Sequence, residues 1–176
     1  MLRARAGNVF LVGPMGAGKS TIGKKLAEDC GWSFIDSDHE IEQRTGVDIA
    51  FIFEKEGEEG FRKREQSAIE ELTQLSGIVL ATGGGAVIKP ENRSCLRGRG
   101  FVVYLRASVA QQFARVERSD HRPLLAHGDR HETLARLFAE RDPLYREVAD
   151  LVLDTDGKNA KQLARAIELA IADRGP

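Results

Sequence analysis

The feature that most constrains the fold is a glycine-rich segment at residues 13–20, which reads Gly-Pro-Met-Gly-Ala-Gly-Lys-Ser. It matches the P-loop pattern G-x-x-x-x-G-K-[ST], with an apolar run before it and an amphipathic segment after it. Glycines let backbone N–H groups converge on phosphate oxygens, and the following helix N-terminus favours negative charge. The alternative is a glycine-rich turn with a chance Lys-Ser, which the flanking pattern disfavours. The segment therefore predicts a nucleotide phosphate site.

The rest of the chain alternates short apolar runs with longer amphipathic segments. This alternation predicts an α/β fold, in which crossover helices connect the strands of a parallel sheet. The length of 176 residues fits a single domain spanning residues 1–176. The predicted strands lie at 9–12, 33–35, 78–81, 101–105 and 151–153, and the clearest predicted helices at 21–30, 58–75 and 160–172.

A polar stretch at residues 118–130 lacks periodicity and contains Pro123 and Gly128. A loop of this length in a compact domain is usually a functional lid or a disordered insert. We interpret this stretch as a mobile lid that covers the nucleotide site.

Composition and charge narrow the class of partner. The net charge is -1, with no dominant basic segment, which disfavours nucleic acid. No apolar run approaches the roughly 18 residues of a membrane span. Cys30 and Cys95 lack CxxC spacing, and the four histidines show no metal-binding spacing. We expect a cytoplasmic protein with reduced cysteines.

Two acidic residues, Asp36 and Asp38, follow the second predicted strand. Ligands of open parallel sheets bind at the carboxyl ends of the strands, and alternation along an extended chain puts both carboxylates on one side. One carboxylate can bind hydrated Mg²⁺, while the other can accept a hydrogen bond from a substrate hydroxyl. Alternatively, Asp38 caps a helix that begins near His39.

Three consecutive glycines, Gly83, Gly84 and Gly85, follow the third predicted strand. Because consecutive glycines cost conformational entropy, they suggest that a ligand approaches the backbone closely. A plain tight turn is the alternative. Thr82 occupies the place where many P-loop proteins carry an acidic residue, which favours Asp36 as the residue that handles magnesium.

Three arginines, Arg62, Arg122 and Arg141, occur in Phe-Arg, Arg-Pro-Leu-Leu and Arg-x-Pro-Leu-Tyr segments. A guanidinium is suited to a two-pronged grip on carboxylates and phosphates. Taken alone, an arginine in such a segment is more often a solvated surface charge.

Together these segments closely resemble the shikimate kinases, in order and spacing, over about residues 8–170. The resemblance implies a three-layer P-loop fold with a five-stranded parallel sheet of order 2-3-1-4-5, and a monomer. It implies transfer of the γ-phosphoryl group of ATP to the 3-hydroxyl of shikimate, with Mg²⁺ as cofactor, in the pathway to chorismate and aromatic amino acids.

The resemblance also implies a role for individual residues. Lys19, Asp38 and Arg122 are implied to be catalytic, and Ser20 and Asp36 to hold Mg²⁺. The implied nucleotide-binding residues are Gly16, Ala17, Gly18, Lys19, Ser20, Thr21, Arg115, Arg122 and Lys158. The implied shikimate-binding residues are Asp38, Arg62, Gly83, Gly84, Gly85 and Arg141.

Two alternatives remain. Another small P-loop kinase, acting on gluconate or a nucleoside monophosphate, would not explain Asp38, Arg62 and Arg141 in register with the glycine triplet. A nucleotide-binding regulatory module without catalysis is disfavoured because Lys19, Ser20 and Asp36 are all present.

Overall fold

The computed structural model describes residues 7–117 and 129–174. Its sheet has five parallel strands in the order β2-β3-β1-β4-β5. This architecture confirms the predicted fold class and strand order. The strands are β1 (Asn8–Val12), β2 (Ser33–Asp36), β3 (Ile78–Ala81), β4 (Phe101–Arg106) and β5 (Leu151–Asp154).

Helices cover both faces of the sheet. They are α1 (Lys19–Cys30), α2 (Ser37–Thr45), α3 (Ile49–Leu72), α4 (Pro90–Arg99), α5 (Val109–Val116), α6 (Arg130–Val148) and α7 (Ala160–Asp173), with a 3₁₀ turn at Ala86–Ile88. The sequence analysis found α1, part of α3 and α7. It did not delimit α2, α4, α5 or α6.

The central strand β1 shows why two helical layers are needed. All five of its residues are buried, as expected for a strand covered on both faces. Phe10 and Val12 pack into the core beneath α2, α3, α4 and α6. Val9 and Leu11 pack into the opposite core beneath α1 and α7. Alternation along the strand therefore supplies both cores.

The long helix α3 departs from its predicted bounds of 58–75. It begins at Ile49, where the Asp48 side chain accepts a hydrogen bond from Phe51 N at 2.8 Å. Gly57, with φ 73° and ψ 178°, interrupts the helix and breaks the apolar period that sequence analysis relies on. Leu75, predicted on the apolar face, lies beyond the helix and is 46% exposed.

The predicted lid at 118–130 is too long at its C-terminal end. The helix α6 begins at Arg130, and Asp129 caps it by accepting hydrogen bonds from His131 N at 2.9 Å and Glu132 N at 3.3 Å. An acidic residue at this position satisfies N–H groups that have no partner within the helix. The remaining residues of the predicted lid, 118–128, lie outside the described residues.

Two further observations bear on the expectations drawn from composition. None of the helices in the described ranges is long and apolar enough to cross a membrane. Both cysteines, Cys30 and Cys95, are partly buried free thiols.

We expect replacement of Phe10 by alanine to reduce the free energy of unfolding by about 3–5 kcal/mol, because it empties a fully buried site in the central strand. Urea denaturation of the variant measures this loss. The matched control is Leu75→Ala, whose side chain is 46% exposed and should change stability by about 0.5 kcal/mol at most. Equal effects of the two substitutions would contradict the packing described here.

Candidate active site

The P-loop connects β1 to α1 and has a backbone that only glycine adopts easily. Gly13, Gly16 and Gly18 have φ values of 148°, 80° and 90°. A Cβ on Gly13 would also collide with the Leu105 carbonyl oxygen. No side chain caps the start of α1 at Gly18. The N-terminus of α1 therefore keeps the N–H groups and partial positive charge that bind phosphate.

The Lys19 ammonium group lies at this loop. Its Nζ donates hydrogen bonds to the carbonyl oxygens of Gly13 at 2.7 Å and Pro14 at 2.8 Å. A bound phosphate would offer charged acceptors, which make stronger hydrogen bonds than neutral carbonyls. The predicted contact of Lys19 with phosphate is thus within the reach of its side chain.

The Asp36 carboxylate joins the P-loop helix to the next helix. Its Oδ2 accepts a hydrogen bond from Ser20 Oγ at 2.8 Å, and its Oδ1 accepts from Asp38 N at 2.9 Å and His39 N at 3.1 Å. The helix cap is therefore Asp36, and the alternative that Asp38 caps this helix is wrong. The chain turns into α2 at Ser37, so strand alternation does not orient Asp38.

Ser20 and Asp36 supply two oxygen ligands of the kind that Mg²⁺ prefers. Across residues 7–117 and 129–174, no three His, Cys, Asp or Glu side chains form a metal-binding group. A protein site with few ligands fits Mg²⁺, which keeps several waters and binds substrate phosphates directly. The Ser20–Asp36 pair therefore fits a nucleotide-bound Mg²⁺ better than a metal held by protein ligands alone.

Two adjoining cavities open at the carboxyl edge of the sheet. The first, of about 580 Å³, lies over the P-loop, and the second, of about 460 Å³, lies between α2, α3 and the glycine triplet. Asp38 borders both cavities, as do four other residues: Met15, Glu42, Gly83 and Gly84. A carboxylate thus stands where groups bound in the two cavities would meet.

The first cavity collects most of the predicted nucleotide-binding residues. Arg115 reaches it from α5 and donates from Nη1 to Gly16 O at 2.7 Å. Lys158 lines it from the loop before α7. The predicted P-loop residues that line it are Gly16, Ala17, Gly18, Lys19, Ser20 and Thr21. Arg122 lies outside the described residues, and its role stays a prediction.

The second cavity contains two buried arginines, Arg62 from α3 and Arg141 from α6, each only 6% exposed. Arg62 donates from Nη1 to Glu65 Oε1 at 2.9 Å and from Nη2 to Glu58 Oε1 at 3.3 Å. For both arginines, the alternative of a solvated surface charge is wrong. Burying two guanidinium groups costs solvation free energy, so an anionic ligand of the cavity would be strongly favoured.

Sequence analysis missed Glu65, which is fully buried beside Arg62. Burial raises the pKa of this carboxyl group, and the Arg62 charge opposes that rise. Among the described residues, its Oε2 has no hydrogen-bond partner. The only sequence signal was its position three residues after Arg62, where helical neighbours meet.

The glycine triplet is explained by the protein's own side chains. None of its three residues has a left-handed φ. A Cβ on Gly83 would lie 2.7 Å from Asp38 Oδ1 and 2.9 Å from Glu65 Oε2, and one on Gly85 would overlap the Arg62 guanidinium. At these two positions the protein's own side chains already leave no room for a Cβ, and all three glycines line the second cavity, so contact of a ligand with their backbone stays a prediction. Only at Gly84 would a Cβ keep ordinary spacing, 3.6 Å from Arg141 Nη1.

The sequence profile described as shikimate kinase matches residues 15–172. The chain belongs to the shikimate kinase family. A shikimate kinase of Histophilus somni is 56% identical over 161 residues, covering 91% of this chain and 92% of the relative. One from Vibrio campbellii is 54% identical over 167 residues, covering 95% and 97%.

A solved structure agrees with this assignment. The shikimate kinase of Acinetobacter baumannii in complex with shikimate superposes with a TM-score of 0.94 at 50% identity, covering 96% of this chain and 94% of that one. The predicted family is therefore confirmed, together with the enzyme class of an ATP-dependent P-loop kinase.

Two tyrosines lie behind the glycine triplet. Tyr145 is buried and donates its hydroxyl hydrogen bond to Gly84 O, and burial raises its pKa to about 12. Burial and a hydrogen bond to Asp142 raise the pKa of Tyr104 as well. Both groups are thus held neutral in the folded protein.

An alkaline titration tests this arrangement, because Tyr104 and Tyr145 are the only 2 tyrosines. Both pKa values are raised above the unfolded value of about 10. The neutral hydroxyls therefore contribute stability that is complete below that pH and is lost as pH rises toward about 12. We expect tyrosinate absorbance to appear together with loss of circular dichroism. Ionisation of either tyrosine near its ordinary pKa in a folded protein would contradict the structure.

Proposed function

We propose that this protein transfers the γ-phosphoryl group of ATP to the 3-hydroxyl of shikimate, giving 3-phosphoshikimate and ADP on the route to chorismate and the aromatic amino acids. The observation that carries the proposal is the position of Asp38. This carboxylate lies on the wall between a P-loop cavity and a second cavity with two buried arginines. Such an arrangement suits an acceptor that carries an anionic group and a reactive hydroxyl.

Acceptor recognition is assigned to the second cavity. Arg62 and Arg141 would bind the planar shikimate carboxylate, with help from the Gly84 backbone. Glu65 holds one end of the Arg62 guanidinium, so its orientation is fixed before the acceptor arrives. Pre-orientation lowers the entropy cost of binding.

The transfer itself needs a base near the attacking oxygen. The 3-hydroxyl oxygen forms a bond to the γ-phosphorus, and the bond from that phosphorus to the oxygen bridging to the β-phosphate breaks. The hydroxyl proton passes to the Asp38 carboxylate, which lies at the junction of the two cavities. The leaving group is ADP.

The P-loop provides groups that stabilise the negative charge of the phosphates. Lys19 is within reach of the cradle, and the N–H groups at the start of α1 point to the same place. Mg²⁺, held by Ser20 and through water by Asp36, would supply further charge neutralisation. Arg115 and Lys158 border the same cavity and would lie near the adenine end of the nucleotide.

The competing acceptors are gluconate and nucleoside monophosphates. A coupled ADP-release assay with shikimate, gluconate and AMP separates them, because each requires a different acceptor cavity. We expect ADP release with shikimate as acceptor and none with gluconate or AMP. We further propose that the enzyme acts as a monomer in the cytoplasm, as the free thiols of Cys30 and Cys95 would allow.

Replacing Lys19 by methionine should abolish turnover and leave the fold intact, because the ammonium group acts on charge that redistributes during transfer. Steady-state kinetics and thermal unfolding measure the two effects. Lys25→Met is the matched control on the same helix, where the side chain pairs with Asp29 at 2.8 Å on the surface. If Lys19→Met kept more than about a tenth of kcat, a loss of only ~1.4 kcal/mol, the assigned role would be wrong.

Substitution of the buried arginines tests the acceptor cavity. Arg62→Ala and Arg141→Ala remove a charge-assisted hydrogen bond, so shikimate affinity should fall by about ten- to a hundred-fold. Arg62→Lys and Arg141→Lys keep the charge and lose the forked geometry, so each should recover only part of that loss. ATP affinity should change little. Titration calorimetry with each ligand measures both.

The matched control for these arginines is Arg136→Lys, an exposed position on α6 that pairs only with Glu140 among the described residues. It should bind both ligands normally. Equal losses of ATP and shikimate affinity in Arg62→Lys or Arg141→Lys would show that these arginines do not act specifically on the acceptor.

A further inference from the structure

Helix α6 meets the glycine triplet at two points. Arg141 and Tyr145 are four residues apart, which puts them on the same face of the helix. The Tyr145 hydroxyl donates to Gly84 O. A Cβ on Gly84 would lie 3.6 Å from Arg141 Nη1, so the guanidinium reaches the same residue. One face of α6 therefore provides both a cavity arginine and a tie to the cavity wall.

Tyr145 is itself firmly held. It is 1% exposed, and its ring packs on that of Tyr104 with centroids 4.8 Å apart. The Tyr104 hydroxyl donates back to Asp142 Oδ1 on α6 at 2.7 Å. Asp142 also accepts from Arg146 Nε at 3.0 Å. These hydrogen bonds join α6 to β4, whereas the Tyr145 ring is held by its burial and by packing on the Tyr104 ring, a contact that does not need the Tyr104 hydroxyl.

The bond to Gly84 O also orients the neighbouring amide. The Gly84 carbonyl and the Gly85 N–H belong to one rigid peptide plane, so holding the first fixes the direction of the second. Glycine has the widest choice of backbone conformations, and three in a row would otherwise leave this wall of the cavity poorly defined. A hydrogen bond from a buried, rigid side chain removes that freedom.

We propose that Tyr145 is a positioning residue for the acceptor: its hydroxyl fixes the Gly84–Gly85 peptide relative to the Arg141 guanidinium. The inference rests on the proposed shikimate kinase function. Two of the groups that would contact the acceptor carboxylate, one from the triplet backbone and one from α6, thereby keep a constant separation. Because the Tyr145 hydroxyl bonds to the triplet backbone, its effect is on acceptor binding.

Tyr145→Phe removes only the hydroxyl. We expect KM and the dissociation constant for shikimate to rise by about five- to ten-fold. This is the affinity change expected when one hydrogen bond that orders the cavity is lost. The kcat at saturating shikimate should stay within about two-fold, and ATP affinity should not change, because the P-loop and Asp38 keep their contacts.

The matched control is Tyr104→Phe, the same chemical change in the stacked partner, whose hydroxyl bonds to Asp142 instead of the triplet. It should leave shikimate affinity unchanged. Combining Tyr145→Phe with Arg141→Lys should give less than the sum of the two losses, because both act on one contact.

The possible results distinguish a positioning role of Tyr145 from a purely structural one. Normal shikimate affinity in Tyr145→Phe, an equal loss in Tyr104→Phe, or a fall in kcat with KM unchanged would overturn the positioning role. Unfolding of Tyr145→Phe under conditions where Tyr104→Phe stays folded would also overturn it, in favour of a purely structural role. Absence of shikimate-dependent ADP release by the unmodified protein would instead reject the proposed function.

Discussion

The Asp36 carboxylate is the interaction on which the rest of the site depends. One oxygen holds the Ser20 hydroxyl at the start of α1, and the other accepts the first N–H groups of α2. A single side chain at the end of β2 thereby sets the P-loop helix against the helix that carries Asp38. Ser37, the next residue, accepts a hydrogen bond at its Oγ from Gly83 N at 3.1 Å. The carboxyl ends of β1, β2 and β3 are thus joined into one unit before any ligand is considered.

The acceptor cavity is built at a cost in stability. Arg62, Arg141 and Glu65 are nearly or fully buried, and each charge taken from water costs several kcal/mol unless it is well paired. The Arg62–Glu65 pair at 2.9 Å compensates only part of this, since Arg62 Nε and Glu65 Oε2 lack hydrogen-bond partners within the described ranges. A bound carboxylate would complete the charge balance. The same desolvation disfavours an uncharged acceptor, and this is a physical basis for specificity.

Sequence-based predictions agree best with the structure where the residues of a motif are close together in the sequence. The P-loop motif, the five strands and the site arginines were all predicted from residues adjacent in sequence or from the family pattern. The predictions did not give the helix boundaries or the residues that pair with the buried charged side chains. The Gly57 interruption hid the start of α3, and the identity of the α2 cap depended on where β2 ends. Glu65 was missed because its spacing of three residues from Arg62 is shared by many exposed helical pairs and does not reveal burial. The Tyr145–Gly84 hydrogen bond was missed because it joins residues 61 positions apart, for which no spacing rule exists.

The two cavities differ in how they are made, and this bears on how each can change. The nucleotide cradle is largely backbone, and its shape follows from the left-handed glycines and the start of α1. The acceptor cavity is made by side chains from α2, α3 and α6 that converge on the triplet, where Gly83 and Gly85 leave no room for a Cβ. Substituting one of its side chains therefore displaces others. A P-loop can remain the same across kinases with different acceptors, whereas a new acceptor requires coordinated changes on three helices.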